Sequence, residues 1–370
     1  MEIIRVWSFL PGDRHSANVP TRAEESEVLD SMRVLYVNDL AFIVDTLASA
    51  LSDRGVESRV IGREISGPPF MGSTFIRNAI SIQRSLMRAR NFDILHLNYG
   101  LFGFFAFETE KPKILHCHGS DVRPGNSLKT RISNLVTRHS MNAVDRVWYA
   151  TTDLHPYFRN SAVPFRYMPN PVSADFFGSS RPPPTPPRVL FAVPLTYLKG
   201  ADVAIEAMRI LTQRHLGAEI ETFSYPVVQR ESVQLRRRIP AGVIGIPWTQ
   251  HSEMPNLMMK ASVVIGRLRL GSLGITELEA MASGRPLIVQ QHGSVQGRDG
   301  YYESDPPVIS CSTPLEVADA VQECLTNESF ARDIGSRARQ WALKYHAPGV
   351  VADQYVREYR ELCEASAFAG

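Results

Sequence analysis

Along this chain, short apolar runs alternate repeatedly with segments that have helical periodicity. Arg33–Val37 and Glu57–Ile61 have the composition of buried strands, and Phe42–Arg54 between them carries apolar residues at helical spacing. Two strands joined by a helix run parallel, because the crossover returns the chain to the same edge of the sheet. The sequence therefore predicts an α/β protein built on parallel sheets.

A proline-rich segment divides the chain into two units of this kind. Arg181–Arg188 contains five prolines, so it is extended and not helical. The pattern restarts after it, with a strand at Val189–Val193 and a helix at Ala201–Gln213. A length of 370 residues also suggests about two domains. The predicted units are an N-terminal domain over 1–177 that includes an extra arm at 1–31, a linker over 178–188, and a second domain over 189–347.

Composition narrows the classes of partner and the compartment. The net charge of +2 and the pI of 8.3 argue against nucleic acid or another strong polyelectrolyte as partner. No apolar run reaches the roughly 18 residues of a membrane span, and 1–31 lacks the layout of a signal peptide. The four cysteines form no CxxC pair, as expected in a reducing compartment. We predict a cytoplasmic protein, and no feature of the sequence sets its oligomeric state.

One predicted helix is basic enough to keep peripheral membrane contact open. Arg77–Arg90 carries Arg77, Arg84, Arg88 and Arg90. A solvated basic face is the favoured interpretation. Contact with anionic lipid or with an anionic acceptor is the alternative.

A glycine loop, a helix and a strand follow one another closely in Gly271–Val289. Gly271 and Gly274 allow the backbone to approach a ligand, and Ile275–Ala282 consists of good helix formers. The free N–H groups and the positive dipole end of such a helix favour a phosphate. Glu277 and Glu279 lie on different faces of this helix, so we expect one of them to reach a ligand.

This stretch resembles the donor-binding motif of the retaining GT-B glycosyltransferases, the large nucleotide-sugar family of the group 1 or family 4 type. Glu279-Ala-Met-Ala282 matches the second glutamate of the motif, whereas the first glutamate would fall at Gly271 and is absent. Three further segments match the family in order: His116–Arg123, Pro169–Val172 and Lys199-Gly200. The arginine that usually precedes the lysine by five positions is Pro194 here. The resemblance covers roughly 32–363.

The resemblance implies two Rossmann-like parallel-sheet domains that face each other across a cleft, with a C-terminal helix over 350–370 completing the first domain. It implies a transferase that moves a sugar from a UDP- or GDP-sugar to an acceptor hydroxyl and retains the anomeric configuration. No cofactor and no obligatory metal are expected. The acceptor would be a sugar, a lipid or a small molecule.

The implied site residues fall into three groups. Lys199 is expected to hold the diphosphate, while His118 and Asp121 hold the donor sugar or the acceptor, and these three are the catalytic candidates. Asn38 and Asp39 are acceptor-binding candidates, although capping of the following helix is their favoured role. The donor-binding candidates are Pro247, Trp248, Thr249, Gly271, Ser272, Leu273, Gly274, Ile275, Thr276 and Glu279.

A metal site and three other functions are alternatives to this interpretation. His116 and His118 share one strand face, but no further ligand or supporting shell is evident, so we predict no metal and a structural role for His116. A nucleotide-sugar 2-epimerase of the same fold would need acid and base groups around the sugar and no acceptor site. A non-catalytic subunit that binds a nucleotide sugar is suggested by the missing glutamate and arginine. The absence of a suitable carboxylate pair disfavours a glycoside hydrolase.

Overall fold

The computed structural model describes residues 32–62, 73–89, 91–125, 128–178, 184–224, 230–247, 249–293 and 301–367. Three features of the sequence analysis lie outside these residues. They are the arm at 1–31, residues 181–183 of the proline-rich segment, and Trp248.

The first sheet has six parallel strands, as the alternating pattern predicts. They are β1 (Met32–Val37), β2 (Val56–Ile61), β3 (Ile94–Asn98), β4 (Lys113–Cys117), β5 (Arg146–Tyr149) and β6 (Phe165–Tyr167), in the order β2-β1-β3-β4-β5-β6. Its helices are α1 (Ile43–Ser52), α2 (Ser73–Arg88) and α3 (Leu128–Met141). Segments of 3-10 helix at Leu40–Phe42, Gly100–Glu108, Thr152–Tyr157 and Ala174–Phe177 complete the connections.

The second sheet also has six parallel strands. They are β7 (Arg188–Phe191), β8 (Glu219–Phe223), β9 (Ile244–Ile246), β10 (Val263–Ile265), β11 (Leu287–Val289) and β12 (Ile309–Ser310), in the order β12-β11-β10-β7-β8-β9. Its helices are α4 (Ala201–Arg214), α5 (Arg230–Arg236), α6 (Met254–Met259), α7 (Ile275–Ala282), α8 (Pro314–Thr326) and α9 (Glu328–His346), followed by α10 (Pro348–Ala367). The predicted α/β fold with two parallel sheets is confirmed.

Strand order fixes where ligands can enter. In the second sheet, the neighbouring strands β7 and β10 mark a reversal of strand order: β8 and β9 lie beyond β7 on one side, and β11 and β12 lie beyond β10 on the other. In the first sheet, β1 and β3 mark the same kind of reversal. The carboxyl ends of such strands form a crevice, because their loops leave toward opposite sides. The loops that carry Lys199 and Gly271 follow β7 and β10, and the loop that carries Asn38 follows β1.

The two faces of the first sheet are covered by different elements. The helices α1 and α10 pack on one face with Tyr36 and Trp148, so the C-terminal helix belongs to the first domain's core. The hydroxyl groups of Tyr36 and Tyr359 lie 2.7 Å apart, and the Tyr359 hydroxyl lies 2.8 Å from His96 Nδ1. The helices α2 and α3 and the segment Gly100–Glu108 cover the opposite face.

Two elements of that opposite face were not predicted from the sequence. The buried side of α3 carries the small polar residues Ser133, Thr137 and Ser140, whereas Ile132 and Leu135 are exposed, so the helix has no apolar stripe facing the core. Gly100–Glu108 is apolar throughout and has no amphipathic period to detect. Within the described residues, no helix combines the length and the low charge that crossing a bilayer requires.

Candidate active site

A cavity of about 810 Å³ lies between the two domains. Phe42, Asp45 and Thr46 line it from the first domain. Four of the predicted donor-binding residues line it from the second domain, namely Thr249, Ile275, Thr276 and Glu279. Its remaining lining residues are Ser173, Asp175, Pro194, Phe223, Gln250, His251, Ser252 and Met254. The volume and the mixture of apolar walls with a few polar groups are typical of a small-molecule site.

Glu279 is the buried carboxylate of this cavity. It lies in the middle of α7, and its Oε1 accepts a hydrogen bond from Nε2 of His251 at 2.6 Å. Burial raises the pKa of Glu279, although the bond from His251 opposes the shift. The same hydrogen bond raises the pKa of His251. The Glu279–His251 pair is therefore a hydrogen-bonded polar group in the wall of an otherwise largely apolar cavity.

Phe42 reaches this pair from the opposite domain. Its ring stacks on the imidazole of His251 at 4.6 Å between centroids, with the planes inclined by 10°. Phe42 has a φ of +59°, a left-handed conformation that costs an L-residue roughly 1–2 kcal/mol. Sequence reasoning missed both residues. His251 lies two residues after the predicted donor-binding residue Thr249, whereas nothing in the local pattern marks Phe42 as a site residue.

The glycine loop before α7 is held by its own charged residues. Glu277 Oε2 accepts from the N–H of Gly274 at 2.9 Å, and Glu277 Oε1 accepts from the backbone N–H of Arg267 at 2.9 Å. The Arg267 guanidinium donates to the Ser272 carbonyl oxygen at 3.1 Å. Burial alone would raise the pKa of Glu277, but Arg267 and the two N–H groups bring it below its usual value. The Gly274 N–H is therefore engaged by Glu277 in this structure, and contact of Gly274 with a donor stays a prediction.

The geometry at Gly271 leaves little room for the family glutamate while His292 keeps its position. Gly271 has a φ of +65°, and a β-carbon there would lie 2.3 Å from Cγ of His292. A side chain would need both a strained backbone and a displaced His292 ring. Ser272 is buried and Leu273 packs against the core, so the loop presents mainly backbone to the cleft.

Lys199 stands at the topological switch point of the second sheet, at the end of the 3-10 segment Tyr197–Lys199. Desolvation of its ammonium group lowers its pKa to about 8, and the positive charges of Arg267 and Arg123 act in the same direction. Glu277 opposes that shift. Two further cationic side chains therefore act on Lys199, whereas Pro194, which stands in place of the family arginine, carries no charge.

Arg123 belongs to the first domain and is fixed by two contacts. Its Nη2 lies 2.7 Å from Asp153 Oδ2 and donates to the Thr151 hydroxyl at 3.1 Å. Burial alone would raise the pKa of Asp153, but the charge of Arg123 lowers it overall. One net positive charge remains when the two carboxylates Glu277 and Asp153 are counted against the three cations Lys199, Arg267 and Arg123. Such an excess, partly withdrawn from water, favours an anion.

His118 directly follows β4 and is fixed by Asn98, a residue that was not predicted from the sequence. The His118 Nε2 lies 2.5 Å from Asn98 Oδ1, which can only accept, so Nε2 carries the proton. Burial lowers the pKa of His118 to about 3, so the imidazole is neutral at pH 7. Its Nδ1 is then an acceptor, suited to a hydroxyl group of a ligand.

Asp121 lies beneath this loop with no exposed surface. Its carboxylate accepts hydrogen bonds from the backbone N–H groups of Gly100, His118 and Gly119, at 2.6 to 3.1 Å. Burial raises the pKa of Asp121, and these three bonds oppose the shift. The contacts make Asp121 the residue that shapes the His118 loop. A direct part in catalysis stays a prediction.

The acceptor-binding candidates lie at the start of α1. Asp39 accepts from the N–H groups of Val44 at 2.9 Å and Asp45 at 3.1 Å, so its favoured role as a helix cap is confirmed. Asn38 is buried, with a φ of +70°. Contact of either residue with an acceptor stays a prediction. Pro247 directly follows β9, and its carbonyl oxygen accepts from the Thr249 hydroxyl at 3.1 Å.

The histidines of β3 and β4 form part of the core. His116 has no exposed surface and its ring lies between those of His96 and Trp148. Burial lowers the pKa of His116, which keeps the ring neutral. Among the residues that the structure describes, no three or more His, Cys, Asp or Glu side chains are grouped to hold a metal.

Two family profiles match most of the chain. Residues 186–327 match the family described as glycosyl transferases group 1, and residues 41–171 match the glycosyl transferase 4-like domain. An uncharacterized glycosyltransferase of Methanocaldococcus jannaschii is 22% identical over 300 residues, which are 75% of this chain and 78% of the relative.

Solved structures show the same architecture. Sucrose-phosphate synthase from Thermosynechococcus elongatus has a TM-score of 0.68 at 16% identity, and the match covers 90% of this chain and 100% of that one. Anabaena HepE in complex with UDP and glucose has a TM-score of 0.64 at 15% identity, over 88% of this chain and 99% of that one. The chain therefore belongs to the group 1 glycosyltransferases, as an enzyme with the GT-B fold of two Rossmann-like domains.

Proposed function

We propose that the enzyme transfers a sugar from a nucleoside diphosphate sugar, a UDP- or GDP-sugar, to an acceptor hydroxyl without a metal ion. The observation that carries the proposal is the net positive cluster of Lys199, Arg267 and Arg123 at the switch point of the second sheet. Departure of the diphosphate leaves negative charge on its oxygens. Fixed cations and the first-turn N–H groups of Ile275 and Thr276 stabilise that charge without a metal.

The cavity beside this cluster is proposed to hold the nucleoside. Its apolar walls suit a base, and Glu279 suits the ribose hydroxyl groups as an acceptor. His251 already donates to Glu279 Oε1, which fixes the carboxylate before a ligand arrives. HepE was solved with UDP and glucose, and the similarity of fold supports a ligand of this class here.

The acceptor is proposed to enter from the first domain. His118 offers a neutral Nδ1 that can accept a hydrogen bond from a sugar or acceptor hydroxyl, because Asn98 holds the other nitrogen. Retention of the anomeric configuration is proposed from the family pattern at Glu279 and Lys199. The four free cysteines support a reducing, cytoplasmic compartment.

The test is a thermal-shift screen of UDP- and GDP-sugars, because a ligand that binds the folded state raises its stability by mass action. The donor that shifts the melting temperature is then incubated with candidate hydroxyl acceptors and with chelator. We expect transfer that survives chelation and a product that keeps the donor's anomeric configuration by NMR. A sugar converted to its 2-epimer without acceptor would support an epimerase instead. Donor binding without turnover under any condition would support a binding subunit.

A further inference from the structure

The outer face of the first domain carries exposed apolar side chains. The helices α2 and α3 and the segment Gly100–Glu108 pack their inner residues into one cluster on this side of the sheet. The outward residues Ile80, Met87, Phe107, Ile132 and Leu135 are 45% to 69% exposed. These five residues, with Arg84, Arg88, Arg131 and Arg138, are called the outer face below.

The three elements form one continuous surface. Gln83 of α2 donates from Nε2 to Glu108 Oε1 at 3.2 Å. Phe107 then stacks near His139 of α3, with 5.6 Å between the ring centroids. The exposed apolar residues therefore belong to one side of the molecule and are not scattered over it.

Arginine and apolar residues share the same exposed stripes of both helices. On α3, Arg131 and Arg138 lie four residues before and three residues after Leu135. On α2, Arg84 lies four residues after Ile80 and three residues before Met87, and Arg88 follows directly. Residues at these spacings are neighbours on a helix surface, so Ile80, Met87 and Leu135 each have a guanidinium within a turn.

This mixture favours a lipid surface over a protein partner. The aliphatic stem of arginine lies along apolar surface while its head stays in the polar layer, as in helices that lie in the bilayer interface. The four arginines of the outer face also give it an excess of positive charge, which complements a surface of anionic lipid. Glu108 is the acidic residue among them, and it is engaged by Gln83. We propose that the outer face docks the enzyme on a bilayer that contains anionic lipid.

The outer face adjoins the cleft. A groove of about 500 Å³ is lined by Pro124, Gly125, Arg131, Asn134, Leu135 and Arg138. Asn134 donates from Nδ2 to the backbone oxygen of Arg123 at 2.9 Å, and Arg123 belongs to the cationic cluster of the cleft. A bilayer on this face brings lipid headgroups beside the cleft, so the acceptor hydroxyl is carried by a lipid. This last step rests on the proposed function, whereas docking does not.

The experiment measures sedimentation of the full chain with vesicles, without donor or acceptor. Phosphatidylcholine vesicles with and without phosphatidylglycerol are compared at low and high salt. We expect binding to the anionic vesicles alone and its loss at high salt. Leu135→Ser should weaken that binding about tenfold, because an exposed leucine is buried on docking. Arg131→Gln with Arg138→Gln should also weaken it and reduce its salt dependence.

Matched controls lie on the second domain. Leu315 of α8 is 54% exposed, and Arg332 of α9 has a 75% exposed side chain. Leu315→Ser and Arg332→Gln should leave vesicle binding unchanged. The melting temperatures of all variants are compared with the parent, and the double arginine variant replaces Leu135→Ser should the latter fail to fold.

Three results would overturn docking: no binding to anionic vesicles, equal losses in the control variants, or a dimer of the free protein that Leu135→Ser dissociates. The last would assign the face to a second copy of the chain. If the protein docks but transfers sugar to a soluble acceptor and not to a lipid-borne one, the proposal that a lipid carries the acceptor hydroxyl is overturned. Absence of transfer from every donor would instead contradict the proposed function and leave the docking result standing.

Discussion

The imidazole of His251 lies between Glu279, to which it donates at 2.6 Å, and the ring of Phe42, on which it stacks at 4.6 Å. One contact is within the second domain and the other crosses the cleft. The carboxylate proposed to hold the ribose is therefore connected through one side chain to the opposite domain. Any change in the distance between the domains acts on this pair first.

Replacing Glu279 by alanine is expected to weaken nucleotide binding by about ten- to a hundredfold, the worth of a hydrogen bond to a charged group. The measurement is calorimetry with UDP and GDP, with the melting temperature recorded alongside. Glu323→Ala, at the exposed surface of α8, is the control and should leave affinity unchanged. His251→Gln keeps a donor for Glu279 and should lose less affinity. Unchanged affinity in Glu279→Ala would remove this carboxylate from the site.

Nucleotide binding is expected to draw the two domains together. The chain crosses between them at 178–188 and again where α9 gives way to α10. At the second crossing, His346 donates from Nδ1 to the Asn170 oxygen at 2.8 Å, and the Val172 N–H donates to the His346 oxygen at 2.8 Å. These bonds fix the crossing point while the flanking helices rotate. Small-angle scattering should show a smaller radius of gyration with nucleotide, and identical curves would contradict the prediction.

Much of this arrangement follows from sequence pattern, and the rest depends on tertiary contacts. The strands and the helix at Ile275–Ala282 have local periodicity, and Lys199 and Glu279 have family spacing. Phe42 begins a predicted helix and Arg123 ends a segment that matches the family, yet neither pattern indicates their roles, because these roles arise where the two domains meet. Asp121 matched a motif, yet its carboxylate turns under the loop to satisfy three backbone N–H groups. A motif identifies a loop, but burial decides which of its side chains faces the ligand.

Loss of the Lys199 charge should lower turnover more than affinity. Diphosphate charge grows as the sugar leaves, so a fixed cation acts most strongly on the transition state. Lys199→Met is expected to reduce turnover at saturating donor by about a hundredfold or more. Lys344→Met, which removes an exposed lysine paired with Glu303, should have no effect. Turnover of Lys199→Met within about threefold of the parent would sink this assignment and make Arg267→Met the next variant to measure.

The same lysine should set the alkaline limit of activity. Its pKa of about 8 in the free enzyme means that the ammonium charge is present below that pH and is lost as the pH rises through it. The alkaline limb of the kcat/KM profile, where activity falls as the pH rises, should follow this pKa, since kcat/KM reports the free enzyme. The kcat limb should lie at higher pH, because bound diphosphate stabilises the ammonium form. Lys199→Arg keeps its charge and should remove the limb from both profiles, and an unchanged limb in that variant would assign it to another group.

Restoring a side chain at Gly271 should cost stability for two separable reasons. One is the backbone, since a φ of +65° is strained for alanine by roughly 1 kcal/mol. The other is the His292 ring, 2.3 Å from the position of the new β-carbon. Gly217 has a φ of +67° with nothing within 4 Å of an added β-carbon, so Gly217→Ala isolates the backbone contribution.

Denaturant unfolding should therefore show a larger loss for Gly271→Ala than for Gly217→Ala, and His292→Gly in the Gly271→Ala background should recover the difference. Gly271→Glu is likewise expected to lose more stability than Gly217→Ala and to recover the difference when His292 is replaced by glycine. The family carboxylate is then tolerated once the imidazole is removed, because the two side chains compete for one space. Equal losses in Gly271→Ala and Gly217→Ala would mean that His292 moves aside freely. The absence of the glutamate would in that case have no steric cause.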